Sequence, residues 1–268
     1  MHIAVCVKQV PDTTEVKINM ETGTLIRTGV PSIINPYDHF ALQTAIGLKK
    51  QHGGEVTVIS MGPPQARSVI QLGLALGADT GILLTDMAFA GSDTWATSYA
   101  LSKAVKKTGR VDLVLCGMQA IDGDTAQTGP GIAHQLGIPQ ITFAENVEIE
   151  GKKIKAKRLT DSGYEFVETQ SPALATMILP KDYVCSYPSF VDIFESLKKT
   201  YHQWTAEDIG ADTAFIGLKG SPTHVNRIYP PPQREKAVMV SGSANELVEK
   251  LIDILKKEDF LKGVLNHD

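Results

Sequence analysis

The residues best suited to bind a ligand form one segment, residues 117–131 (GMQAIDGDTAQTGPG). An apolar run at residues 111–116 precedes it and predicts a buried strand, and residues 132–137 predict a helix that ends at glycine. A loop placed in this way lies at the carboxyl end of a strand, where open α/β sheets bind ligands. The first N–H groups of the helix have no partner within the helix, and with the positive end of the helix dipole they favour a phosphate.

The start of this helix has two possible positions. Asp124 and Gln127 have the spacing of a capping box, although the first residue of that motif is usually Ser or Thr. Pro130 suits the first helical position instead, with Gly129 before it as the cap. The sequence leaves both open. The glycines of the segment allow a ligand to approach the backbone, whereas the simpler interpretation is a turn followed by a capped helix.

Strands and helices alternate through the first half of the chain, and they must position this loop. Apolar runs predict core strands at residues 3–7, 55–61, 81–85 and 111–116. Apolar residues at helical spacing predict helices that begin at Asn35 or Pro36, at Gln65 and within residues 92–98. This alternation predicts a Rossmann-like α/β domain, with a parallel sheet sandwiched by helices and right-handed crossovers.

Several loops should meet on one rim of that sheet. Residues 8–12, 61–64 and 117–128 each follow a predicted core strand, and a polar segment at residues 92–98 follows another. A nucleotide needs contacts to its base, ribose and phosphates from separate loops, so the set predicts a nucleotide site. A stand-alone ATP-binding protein on the same layout is one alternative, since the lack of a P-loop motif argues only against a P-loop enzyme.

The pattern changes in the second half of the chain. From Ile141 to about Val167 it predicts antiparallel strands, followed by a buried strand at residues 172–179. The Lys-rich run at residues 152–158 predicts a solvated strand face of the kind that protects sheet edges. A surface hairpin is predicted within residues 15–27.

The α/β rhythm is predicted to stop after Pro180, which divides the chain into a nucleotide-binding domain, residues 1–180, and an appended segment, residues 181–268. The appended segment has a loop, a short amphipathic helix, a proline-rich stretch at residues 220–233 and an amphipathic helix at residues 244–255. Such an arm is poorly placed to build its own core. It either wraps around a partner subunit or folds back on its own sheet.

Composition and charge exclude several classes of function. The 268 residues are 43% hydrophobic, which is enough for a large core, and a formal net charge of -4 leaves no basic stripe for nucleic acid. The N-terminal apolar run is too short for a signal peptide and no run of about 18 apolar residues occurs, so we expect a cytoplasmic chain without a transmembrane segment. The cysteines and histidines show no metal-ligand spacing, and we therefore predict no metal site.

Five motifs, in this order, resemble the β subunit of electron transfer flavoproteins. They are VKQVPD at residues 7–12, NPYD at 35–38, MGP at 61–63, LGAD at 76–79 and QAIDGDTAQ at 119–127. The resemblance covers essentially the whole chain and implies an adenine nucleotide α-hydrolase-like fold. It also implies a heterodimer with an α subunit that carries its own FAD. The β subunit would hold AMP in the housekeeping type, or a second FAD in the electron-bifurcating type.

The resemblance also assigns site residues by position. Cys6, Asn35, Asp38 and Met61 match the neighbours of adenine and ribose. The loop that cradles the phosphates matches Gly117, Gln119, Ala120, Ile121, Asp122, Gly123, Asp124, Thr125, Ala126, Gln127 and Thr128. A carboxylate such as Asp38 or Asp122 suits ribose hydroxyls rather than phosphates. No side chain is expected to be catalytic, because the cofactors perform the redox chemistry.

Residues 90–98 (AGSDTWATS) resemble the electron-bifurcating branch, including its nitrogen-fixation-linked members. Asp93, Thr94 and Thr97 are accordingly predicted to bind NADH or the FAD, because hydroxyls at a helix N-terminus suit a pyrophosphate. The implied reaction is hydride transfer from NADH to FAD, with one electron passing to ferredoxin or flavodoxin and the other, through the α-subunit FAD, to a dehydrogenase. The alternative is a non-bifurcating β subunit that holds structural AMP.

One segment departs from the family pattern. Members linked to acyl-CoA dehydrogenases usually carry an Asn-Glu-Pro-Arg-Tyr sequence where this chain has residues 181–190 (KDYVCSYPSF). The change predicts a different flavin dehydrogenase, such as a 2-hydroxyacid (lactate-type) enzyme, or a quinone-reducing complex, while an acyl-CoA type stays open. Tyr187 and Pro188 are the predicted partner contacts, with Tyr187 as the anchor because aromatic side chains dominate interface hot spots.

Overall fold

A computed structural model describes residues 1–12, 31–226 and 239–257. The chain separates into two compact units, Met1–Ile228 and Tyr229–Asp268. The hairpin predicted within residues 15–27 and residues 227–233 of the proline-rich stretch lie outside the described residues. No helix in the described ranges is both long enough and apolar enough to cross a membrane.

The first unit is built around a β-sheet. The strands in the described residues are β1 (His2–Cys6), β2 (Gln9–Pro11), β3 (Ser32–Ile34), β4 (Glu55–Met61), β5 (Thr80–Leu84), β6 (Leu113–Gly117), β7 (Gln140–Glu150), β8 (Lys153–Thr160), β9 (Gly163–Gln170), β10 (Ala173–Met177) and β11 (Thr200–Trp204). Nine of them form one sheet in the order β11-β5-β4-β1-β6-β10-β7-β8-β9, and β2 and β3 form a separate pair. The sheet is parallel from β11 to β7 and antiparallel from β7 to β9.

Helices cover both faces of the parallel part. The described helices are α1 (Pro36–His52), α2 (Arg67–Leu76), α3 (Thr94–Lys107), α4 (Thr128–Leu136), α5 (Phe190–Ser196) and α6 (Ala244–Lys257). Alternate residues of β1 point to opposite layers: Ile3 and Val5 pack with α1 and α2, whereas Ala4 and Cys6 pack with α3 and α4. A central strand buried on both faces must be apolar throughout, and β1 is. The predicted sandwiched α/β fold is confirmed.

The antiparallel extension is also as predicted, with one correction. The Lys-rich run lies on β8, which is flanked by β7 and β9 and is therefore not an edge strand. Its lysines form ion pairs with carboxylates of the neighbouring strands: Lys153 with Glu168, Lys155 with Glu150 and Lys157 with Glu145. Charge pairing across strands, rather than protection of an edge, explains this run.

The sheet does not end at Pro180, contrary to the prediction that the α/β rhythm stops there. Strand β11 pairs in parallel with β5, with Thr200 opposite Thr80 and Trp204 opposite Leu84. The boundary suggested at residue 180 therefore lies inside the first compact unit, which extends to Ile228. A five-residue strand preceded by a single short helix gives too little periodicity to be recognised in the sequence.

Helices α5 and α6 both present apolar side chains to solvent. On α5 and the residues on either side of it, the exposed apolar residues are Val184, Tyr187, Phe190, Val191, Ile193, Phe194 and Leu197. On α6, which belongs to the second unit, they are Val248, Leu251, Ile252 and Ile254. Helix α6 is amphipathic, as predicted, and begins after Ser243, whose hydroxyl and N–H both donate to Glu246.

Candidate functional site

The order of strands reverses between β1 and β6. From β1 the chain passes through α1 to β4 and through α2 to β5, and α3 then returns it to β6 on the other side of β1. The crevice outside the carboxyl ends of strands at such a switch point is where open α/β sheets bind ligands. The predicted loops at residues 8–12 and 117–128 leave β1 and β6 on this rim.

Asp38 connects the ends of β1 and β6. Its Oδ2 accepts a hydrogen bond from the Lys8 N–H, and its Oδ1 accepts one from the Gly117 N–H, both at 2.8 Å. Burial raises the pKa of this carboxyl to about 7, although the N–H groups of Gly117 and Lys8 act in the opposite direction. In this structure Asp38, predicted as a ribose neighbour, therefore positions the two loops with both of its oxygens.

Asn35 holds the loop that follows β6. It is fully buried just before α1, its Nδ2 donates to the Gln119 carbonyl at 2.8 Å, and its Oδ1 accepts from the Ile121 N–H at 3.2 Å. The resemblance implies that Asn35 lies near adenine and ribose, and that Gln119 and Ile121 lie near phosphate. In the structure, hydrogen bonds between the Asn35 side chain and the loop backbone join these three residues.

Three sulfur-containing side chains lie on the α3/α4 face near the rim. Cys6 and Cys116 are buried in the layer between the sheet and these helices, and Met61 packs against the same layer. Burial raises the pKa of Cys6 to about 12, and the neighbouring Asp38 adds to the effect. The thiol is therefore protonated at neutral pH and acts as a small apolar side chain.

Helix α4 begins at Thr128, so neither of its two predicted starts is correct. Gln127 occupies the N-cap position, and its side chain makes no capping hydrogen bond. Its Oε1 instead accepts a hydrogen bond from the Thr94 hydroxyl at 2.9 Å. Asp124 accepts from another side chain of the loop and does not cap the helix. Because Gln127 is turned towards α3, its side chain does not cap the N–H groups of Thr128 and Gly129. Pro130 has no N–H group, and the N–H of Gly131 donates to the Gln127 carbonyl.

The loop before α4 has a strained backbone. Asp124 and Ala126 have φ angles of 48° and 54°, in the left-handed region that costs a non-glycine residue roughly 1 kcal/mol. Asp122 forms an ion pair with Lys8, with 2.7 Å between Nζ and Oδ1. Strained backbone concentrates at functional sites, and here the ion pair and the Asn35 side chain hold the conformation. Lys8 was missed as a site residue, although it lies inside the VKQVPD motif.

Gly117 and Gly129 are needed for close packing within the protein. A Cβ on Gly117 would lie 2.5 Å from Asp38 Oδ1, and one on Gly129 would lie 2.5 Å from Thr176 Cγ2. Gly123, by contrast, has no such neighbour within 4 Å. Close contact between elements, rather than access for a ligand, explains Gly117 and Gly129.

Asp93 connects the start of α3 to a later part of the chain. Its Oδ1 accepts from the N–H groups of Trp95 and Ala96, both at 3.0 Å. Its Oδ2 accepts from the N–H and the hydroxyl of Thr223, at 2.9 and 2.8 Å. Asp93 is thus an N-cap, and the contact with Thr223 was not predicted because only the tertiary fold brings that segment near.

The other predicted residues of this segment differ in their surroundings. Thr94 contacts Gln127, which joins the predicted NADH segment directly to the predicted phosphate loop. Thr97 is half-buried one turn further along α3. Tyr187 is 80% exposed and Pro188 is half-buried, in the loop before α5. Among the described residues, no group of three or more His, Cys, Asp and Glu side chains is arranged to hold a metal ion.

Comparisons with known proteins identify the family of this chain. The model of the electron transfer flavoprotein domain matches residues 22–179. The electron transfer flavoprotein subunit beta of Clostridium acetobutylicum is 48% identical over 97% of this chain and 100% of its own length. Protein FixA of Azorhizobium caulinodans is 44% identical over 99% and 98%, and the caffeyl-CoA reductase-Etf complex subunit CarD of Acetobacterium woodii is 46% identical over 97% and 100%. The chain therefore belongs to the electron transfer flavoprotein family, as a β subunit.

Proposed function

We propose that this chain binds FAD in the crevice between β1 and β6, and that with an α subunit it bifurcates the electrons of NADH in the cytoplasm. The observation that carries the nucleotide site is the first turn of α4, which the Gln127 side chain does not cap and which opens at the switch point of the sheet. Free N–H groups at the positive end of a helix bind phosphates. The FixA and CarD relatives support the electron-bifurcating type of complex.

The donor set fits a dinucleotide. Apolar Met61 and the protonated thiol of Cys6 provide a wall on the α3/α4 face that suits an adenine ring. The first turn of α4 and the Thr94 hydroxyl lie side by side and suit a pyrophosphate. Asp93 already caps α3, so this segment would contribute hydroxyl groups, from Thr94 and Thr97, rather than helix N–H groups.

The chain's own residues would bind the nucleotide and orient it. The chemistry of the bound group would be that of a flavin: acceptance of hydride from NADH and delivery of single electrons, one to ferredoxin or flavodoxin and one through the α-subunit FAD to a dehydrogenase. Asp38 and Asn35 hold the loops on which the phosphates would rest. The Lys8–Asp122 ion pair closes one loop against the other. Structural AMP is the alternative occupant, because an adenine and one phosphate would use the same wall and the same helix.

Flavin content separates the two possibilities. We expect the heterodimer, purified with its α subunit, to contain two FAD and no AMP, and we expect NADH to bleach the flavin absorbance under anaerobic conditions. One FAD together with one AMP, and no reduction by NADH, would show that this chain is the non-bifurcating type. Thr94→Val should lower retention of the β-subunit nucleotide, whereas Thr44→Val, which alters a hydroxyl bonded within α1, should not.

We also propose that the loop before α5 binds the partner dehydrogenase through Tyr187 and Pro188. The exposed apolar side chains of this loop and of α5 support the proposal, because contiguous exposed apolar surface marks interaction sites. The printed name of CarD places that relative in a caffeyl-CoA reductase complex. For this chain, a lactate-type and an acyl-CoA type dehydrogenase are both candidates.

Tyr187→Ala should slow electron transfer to the dehydrogenase about tenfold or more, because a central aromatic anchor contributes roughly 2 kcal/mol to an interface. The measurement is NADH-dependent reduction of each candidate dehydrogenase by the heterodimer. Tyr187→Phe keeps the ring and should behave like the unmodified protein. An unchanged rate in Tyr187→Ala would place the partner elsewhere.

A further inference from the structure

A cysteine, a histidine and two tyrosines meet where the loop before α5 lies against α1. Cys185 Sγ is 3.4 Å from His39 Nδ1 and 3.7 Å from His39 Nε2. The Tyr183 hydroxyl makes a hydrogen bond with the same Nδ1, and the centre of the Tyr187 ring lies 6.5 Å from that of the imidazole. None of the four has a part in the nucleotide site proposed above.

The cluster has the arrangement of a nucleophile beside a base. The thiolate is the reactive form of cysteine, and an adjacent base is the usual means of producing it. His39 is only 2% exposed, and burial lowers its pKa, although hydrogen bonds with Ser186 and Gln43 act in the opposite direction. The imidazole is therefore neutral at pH 7 and has a basic nitrogen beside the sulfur.

The two tyrosine hydroxyls also interact with this cluster. The pKa of the Tyr187 hydroxyl is raised first by its hydrogen bond with Cys185, and burial followed by a similar bond raises that of Tyr183. The exposed Tyr187 hydroxyl is therefore placed to donate to the sulfur. A donor at this position stabilises the negative charge that develops on sulfur as it reacts.

A small hydroxylic molecule can reach this region. Cys185 is partly exposed, and a groove lined by Phe40, Gln43, Asp182 and Tyr183 borders the cluster. Gln43 lies one turn after His39 on α1, and its Nε2 donates to the hydroxyl of Ser186, the residue that follows Cys185.

The other two cysteines have different surroundings from Cys185. Cys6 and Cys116 are buried in the core, and burial raises the pKa of both thiols. Thiols buried in apolar surroundings are inert. The chain therefore carries its own internal controls for thiol reactivity.

We propose that Cys185 is an oxidation site that reacts with a small hydroperoxide, with His39 as its base. His39 takes the thiol proton, and the thiolate attacks one oxygen of the peroxide. The S–O bond forms as the O–O bond breaks, so the sulfur is oxidised by two electrons and the peroxide is reduced. The leaving oxygen takes the proton from the imidazolium, and the products from hydrogen peroxide are a sulfenic acid at Cys185 and water.

Trapping of the sulfenic acid tests this site. The intact heterodimer is treated with hydrogen peroxide and dimedone, and labelling of each cysteine is followed by peptide mass spectrometry. We expect Cys185 to be labelled about tenfold faster in the folded complex than in the urea-unfolded chain, with no label on Cys6 or Cys116 before unfolding. Labelling of Cys185 at or below the rate of the unfolded chain would overturn the proposal.

Two variants test the role of the neighbours. His39→Gln should slow labelling about tenfold, because the base is lost. Because His39 is buried, its substitution could also disturb folding, and Tyr187→Phe serves as a second variant at an exposed position. This change removes the hydrogen bond to the sulfur and should slow labelling severalfold. Phe166→Leu changes another exposed aromatic residue and should leave the rate unchanged. If neither His39→Gln nor Tyr187→Phe slowed labelling, Cys185 would be an ordinary thiol and the proposal would fail.

Discussion

Gly117→Ala should lower the free energy of unfolding by about 3 kcal/mol and should abolish nucleotide binding. The new Cβ would lie 2.5 Å from Asp38 Oδ1 and from Tyr37 Cβ, and 2.8 Å from the Asp38 backbone nitrogen. Gly117 and Asp38 are both buried, which restricts any movement of β6 away from the start of α1. Overpacking of this kind costs roughly 1–3 kcal/mol, and displacement of the Asp38 carboxyl would break its hydrogen bonds as well.

The measurement is urea denaturation of the purified protein, together with its nucleotide content. Gly123→Ala is the matched control, because it lies in the same loop, has no neighbour within 4 Å of the new Cβ, and has no positive φ. It should change stability by less than about 0.5 kcal/mol. Similar behaviour of the two variants would mean that the close approach of α1 to β6 does not determine stability here.

Asp38→Ala should destabilise the protein most strongly in acid, with an effect that shrinks as the pH rises to 8. The substitution removes the acceptor of two backbone N–H groups, which costs about 3 kcal/mol. Burial raises the pKa of the native carboxyl from 3.8 to about 7, against the opposing effect of the N–H groups of Gly117 and Lys8. The native state therefore binds the proton more tightly than the unfolded state does. Asp38 contributes its full stabilisation below about pH 4 and loses it as the pH rises through 7.

The difference between pKa values of 3.8 and about 7 corresponds to at most roughly 4 kcal/mol. Urea denaturation of Asp38→Ala and of the unmodified protein, at several values between pH 4 and pH 8, gives the difference between their free energies of unfolding. The contributions of all other titrating groups cancel in this difference. Asp38→Asn keeps one acceptor and does not titrate. Its loss of unfolding free energy should therefore be smaller than that of Asp38→Ala and should also shrink as the pH rises. A difference that stays constant, or widens towards pH 8, would mean that Asp38 is ionised in the native state throughout this range.

Local patterns in the sequence determined the fold and the family. The core strands and the helices between them follow apolar periodicity, and β1, β4, β5 and β6 lie within two residues of their predicted bounds. Five short motifs at the ends of these strands and helices identified a β subunit of an electron transfer flavoprotein, which the relatives confirm. Both features are encoded within short stretches of chain. Residues close in sequence therefore suffice to recognise them.

Tertiary contacts decided what individual site residues do. Asp38 and Asn35 are hydrogen-bonded to loops about 80 residues away, and Asp93 is bonded to Thr223. The start of α4 at Thr128 follows from the Gln127 side chain turning to Thr94 on another helix. Strand β11 was not predicted because its place is set by pairing with β5. The Cys185–His39 pair was not predicted because 146 residues separate its members. A hydrogen bond between distant segments depends on how the sheet brings them together, and no local periodicity records it.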